Sequence, residues 1–124
     1  MNMPSPEVER FIRRHIRSVW DLELLLLLSL NPSRVWTIPM LVRELRASIP
    51  LVTDSLMTLK LANCIAEEPT EHYRYRPASS EVEVQVLALK DAHAKFPVAV
   101  TKLIWQGPHS QIQVFADAFR LKKD

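Results

Sequence analysis

The sequence predicts a mainly helical α+β fold in a single domain over residues 1–124, and three observations carry that prediction. Helix starts recur along the chain, each a Ser or Thr followed within three residues by Pro, Asp, Glu or Gln and then by an apolar stripe. Only residues 64–76 alternate in the manner of strands, around one proline turn. The bulk numbers agree: 124 residues, 48% apolar and 24% charged, have the size and balance of one globular domain that buries its own core.

Ser5-Pro6-Glu7 opens the first helix, with a side-chain cap, a proline where no intrahelical N–H is lost, and an acid near the positive end of the dipole. Val8, Phe11, Ile12, Ile16, Val19 and Trp20 follow at helical spacing. Ser18 with Asp21 makes a second cap, so residues 6–30 read as one long helix or two short ones. Leu22 and Leu24–Leu28 are apolar all round, as in a helix surrounded by others, and Asn31-Pro32 ends the run. Arg34-Val35-Trp36 is a short extended stub. Thr37 then caps a helix with Ile38, Leu41, Val42 and Leu45 on one face, and Ser48 caps another with Val52, Ser55, Leu56, Leu59 and Ala62 inside. Both carry proline in the first turn, so two firm starts flank a tight turn at Ala47-Ser48. Asn63 suits the left-handed residue that stops the second helix.

Cys64–Glu68 and His72–Arg76 read as two strands joined by Pro69-Thr70-Glu71. Tyr73 and Tyr75 then face one way, and His72, Arg74 and Arg76 the other. Ser80 with Glu83 predicts a capping box for a helix to about His93, and Pro97 starts a shorter helix through Trp105. Gly107-Pro108 breaks the chain before a last helix, capped by Ser110 with Gln113 and carrying Val114, Phe115, Ala118 and Phe119.

Composition removes most chemistries. The lone cysteine, Cys64, excludes an internal disulfide and makes the cytoplasm the expected compartment. The run Leu24–Leu28 is far short of the ~20 residues of a membrane span, and Met1-Asn2-Met3-Pro4 lacks a leader pattern. Gly107 is the single glycine, which excludes phosphate-binding glycine loops, dinucleotide fingerprints and nucleophile elbows. His15, His72, His93 and His109 have no metal-ligand spacing, so no metal or other cofactor is expected. Asp21 and Glu23 are two residues apart and cannot share a helix face for acid–base work. Ser48, Ser80 and Ser110 are accounted for as caps, and Trp20, Trp36 and Trp105 as core or subunit-contact anchors. The expectation is a protein without a catalytic residue.

Helix, strand stub, helix, tight turn, helix and hairpin is the order of a winged helix-turn-helix domain. Leu56-x-x-Leu59-x-x-Ala62-Asn63-Cys64-Ile65 resembles the recognition-helix exit of MarR-type regulators, where a leucine-rich helix runs directly into the first wing strand. The resemblance covers residues 18–77, with residues 1–17 as an N-terminal helical extension and residues 78–124 as C-terminal helices. It implies a transcriptional regulator that binds double-stranded DNA. Ser48, Thr53, Thr58 and Lys60 would then enter the major groove, Arg43 and Arg46 would hold the backbone, and His72, Arg74 and Arg76 would anchor the wing. It also implies a homodimer, built here through Phe11, Ile12, Val98, Leu103, Ile104, Trp105, Phe115 and Phe119.

The residues themselves depart from that pattern. The helix from Ser48 presents Pro50, Leu51, Asp54 and Met57 where side chains that read base edges belong. Lys60 is its one cation, and residues 48–79 carry three basic against four acidic residues. The competing expectation is a protein-interaction module that docks a partner through Pro50, Leu51, Asp54 and Met57.

Overall fold

A computed structural model describes residues 3–106. Nine elements follow in order: α1 (Pro6–His15), α2 (Val19–Leu30), β1 (Trp36–Thr37), α3 (Ile38–Leu45), α4 (Ile49–Leu61), β2 (Ile65–Glu68), β3 (His72–Tyr75), α5 (Ser80–Lys95) and α6 (Pro97–Gln106). Helix accounts for 66% of the described residues, so the α+β reading with helix in the majority holds. The three strands form one antiparallel sheet in the order β1-β3-β2, with Trp36 opposite Tyr73 and Ile65 opposite Tyr75. This arrangement is compatible with a winged helix.

Capping explains where the helices begin. The hydroxyls of Ser5, Ser18, Thr37 and Ser48 accept the N–H of Val8, Asp21, Met40 and Leu51 at 3.3–3.4 Å. Ser18 resolves the first ambiguity in favour of two helices, because Ile16 leaves α1 in extended backbone and Ser18 restarts the chain as α2. One cap is corrected. Ser79, not Ser80, caps α5, its Oγ accepting the Val82 N–H at 3.2 Å. Two adjacent serines offered the same side chain, and with Ser79 as cap the third helical position is Val82, so Glu83 does not close a box. The same helix runs two residues beyond the expected His93, to Lys95.

The helix ends are settled without glycine. Arg46 closes α3 at φ 53°, in the left-handed region. Asn63, at φ 63°, follows α4 as expected, and the Cys64 and Asn63 N–H groups return to the Leu59 and Lys60 carbonyls at 3.1 and 3.0 Å. That reverse turn aims the chain straight into β2. Beyond the strands, the Arg76 N–H still reaches the Cys64 carbonyl at 3.1 Å, which keeps the hairpin tied to the end of α4.

The core is one continuous cluster. Leu22, Leu24, Leu25 and Leu28 of α2 are completely enclosed, because α2 packs against α3, α4 and β3 together. On the other side α1 lies against α5 and α6, which pack on each other and bury Phe11, Ile12, Val86, Leu89, Leu103 and Ile104. Trp36 closes the sheet end of the core, with the Arg34 guanidinium 3.9 Å above its ring. The helix expected from Ser110, with Val114, Phe115, Ala118 and Phe119, lies outside the described residues.

Candidate functional site

The face to judge is built by α4 and the β2–β3 hairpin. Val52, Ser55, Leu56 and Leu59 turn inward from α4 and are buried, which fixes the opposite side of the helix outward. That side carries Pro50, Leu51, Thr53, Asp54 and Met57, all exposed, with Thr58 half-buried. The apolar strip is longer than the sequence reading made it. Ile49 and Leu61, 63% and 75% exposed, extend a strip on which Leu51 and Met57 are 38% and 53% exposed. Leu61 stands four residues after Met57 and seven after Asp54, so helical spacing alone could have found it.

The residues expected to touch DNA divide into engaged and free. Ser48 spends its hydroxyl on the α4 cap. Lys60 Nζ pairs with Glu67 Oε1 on β2 at 2.5 Å. The hydrogen bond to Glu67 raises the ammonium's pKa, and its partner's is lowered by the same bond. On the hairpin, Arg74 Nε lies 2.9 Å from Glu68 Oε2, close enough for an ion pair although the N–H is not aimed along a hydrogen bond. Register makes that pair: Arg74 stands opposite Ala66, which puts Glu68 on its diagonal. His72 is exposed and its Nδ1 lies 2.9 Å from the Thr70 carbonyl, within its own turn. Arg43, Arg46 and Arg76 are exposed and enter no ion pair among the described residues. Sequence reasoning missed Glu67 and Glu68 as partners of the two cations, since only the strand register brings them together.

Charge on this face is therefore largely cancelled, while its apolar area is open. Cys64, at the junction of α4 and β2, is buried, and burial pushes its thiol up to about 12, which leaves it a packing residue. Among the described residues no three His, Cys, Asp or Glu side chains group as metal ligands, and no helix is long and apolar enough to cross a membrane. No protein family, curated protein or solved structure matches this chain.

Proposed function

We propose that this chain is a winged-helix interaction module whose outer α4 face docks a partner protein. One observation carries the reading: the best-placed cations, Lys60 and Arg74, are held by Glu67 and Glu68 beside an α4 on which Ile49, Leu51, Met57 and Leu61 are exposed. A phosphate backbone has to displace those carboxylates and then meets Asp54 with the wrong sign. A protein surface covers the strip without breaking either pair, and each large apolar side chain taken fully out of water contributes about 1.5–3 kcal/mol. The role is non-catalytic and needs no cofactor, and the single cysteine fits a cytoplasmic setting.

A second reading, a DNA-binding transcriptional regulator of MarR type, draws support from Arg43, Arg46 and Arg76, which stay exposed and free of ion pairs among the described residues. One experiment separates the two. The chain and its Asp54→Arg/Met57→Ser variant are titrated with random duplex DNA at two salt concentrations, and each is used in parallel as bait in its native cells. The proposal expects no salt-steep duplex binding by the unmodified chain, and a co-purifying protein that the double change removes. Salt-steep duplex binding, with the variant's added cation tightening it, would instead establish the DNA reading.

A further inference from the structure

Away from the α4 strip, a groove of about 570 Å³ opens where the start of α2, the end of α3 and the end of α6 meet. Its apolar lining includes Trp20, Leu45 and Trp105, and its charged lining is Arg17, Glu23 and Glu44. These three charged side chains are exposed and enter no ion pair among the described residues, so the groove sets two carboxylates against one guanidinium. Both indoles are open to it, Trp20 half-buried and Trp105 50% exposed. Elsewhere the fold places a cation over an indole, with the Arg34 guanidinium 3.9 Å from the centre of the Trp36 ring. Among the described residues no cation of the chain lies over Trp20 or Trp105.

We propose that this groove binds a small organic cation, an ammonium or quaternary ammonium carried on an apolar body. Two kinds of group in the lining select that class. An indole face attracts a cation through its quadrupole, more strongly than the other aromatic side chains, and the attraction grows as the cation sheds water. Glu23 and Glu44 supply the opposite charge, and their excess over Arg17 disfavours an anion. An inorganic cation matches less well, because it takes several oxygen ligands. Among the described residues no three His, Cys, Asp or Glu side chains group to provide them. A neutral apolar molecule covers the indoles but draws nothing from the two carboxylates. Volume agrees, since ligand pockets run roughly 300–1,000 Å³ and this one leaves room for an apolar body against Leu45. The α4 strip contributes none of these residues, so this inference stands or falls apart from the proposed function.

Calorimetric titration of the full chain with benzyltrimethylammonium tests it, with benzoate and benzyl alcohol as anionic and neutral counterparts carrying the same ring. The expected result is saturable one-to-one binding of the ammonium with a Kd below about 1 mM, and binding of the other two at least about tenfold weaker. Trp105→Ala and, separately, Glu23→Gln/Glu44→Gln should each weaken the ammonium by about fivefold or more. Both variants alter exposed side chains, so far-ultraviolet circular dichroism should keep the helical signal in each. Three results would overturn the proposal: no saturable binding of the ammonium, benzoate or benzyl alcohol bound as tightly, or ammonium binding unaltered in either variant. The second makes the groove a site for the ring alone, and the third places the cation elsewhere on the chain.

Discussion

Asp21 is the buried carboxylate among the described residues, and its surroundings pull its proton in opposite directions. Burial raises its pKa above 3.8, the dominant effect, while hydrogen bonds from Ser55, from the Arg17 N–H at 2.8 Å and from Ser18 act to lower it. The folded state therefore holds the proton more tightly than the unfolded chain. Its contribution to stability is fully present below 3.8 and is lost as pH rises through the folded-state value. Asp21→Asn keeps an oxygen for the Arg17 N–H and cannot ionise, so urea midpoints of the native chain should fall relative to this variant as pH rises from 3.8. A constant gap across that range would refute the assignment. Asp21→Ala, which orphans the Arg17 N–H, should cost about 1–3 kcal/mol below pH 3.8, with the loss shrinking as the pH rises. A second residue-scale effect sits in the hairpin turn, where Thr70 and Glu71 take φ 67° and 62° in succession. Turns of that pattern favour Asn-Gly, and a threonine there is strained by its branched Cβ. Thr70→Asn/Glu71→Gly should raise unfolding stability by about 1 kcal/mol, measured by urea titration, and no gain would mean the turn is relaxed.

At the scale of elements, α2 and α4 contrast two uses of leucine. Leu25 is fully enclosed and Leu61 is 75% exposed, though both sit in helices dense in apolar residues. Leu25→Ala should destabilise by about 2–5 kcal/mol, whereas Leu61→Ala should stay within about 0.5 kcal/mol. Equal losses in a denaturation series would mean that the α4 strip is structural and not a docking surface. The helices were legible in the sequence because their starts are chemical: hydroxyl, proline and acid placed before a stripe leave little choice of boundary, and Asn63 stopped α4 for the same kind of reason. Only the doublet Ser79-Ser80 defeated that logic, since either hydroxyl suffices. The candidate site was half legible. Its apolar centre at Leu51, Asp54 and Met57 follows from helix spacing, but the pairing of Lys60 with Glu67 and Arg74 with Glu68 depends on strand register. Register here is set by a turn of two left-handed residues that no glycine announces.

The whole molecule shows where the terminal helices spend their apolar surface. The expectation of a homodimer counts eight residues, and four of them, Phe11, Ile12, Leu103 and Ile104, are buried in the chain's own core. Phe115 and Phe119 lie outside the described residues, which leaves Val98 and Trp105, 66% and 50% exposed, as the candidates on α6. Two side chains on one helix fall well below the roughly 800 Å² per partner that a stable interface buries. Val98 and Trp105 share their face of α6 with Pro97, Thr101 and Lys102. Sedimentation at micromolar concentration should therefore give a single species of 14.3 kDa. Twice that mass would transfer Val98 and Trp105 to a subunit interface. In that case Val98→Asp, on the exposed side of α6 and away from the core, should restore the single-chain mass without loss of helix.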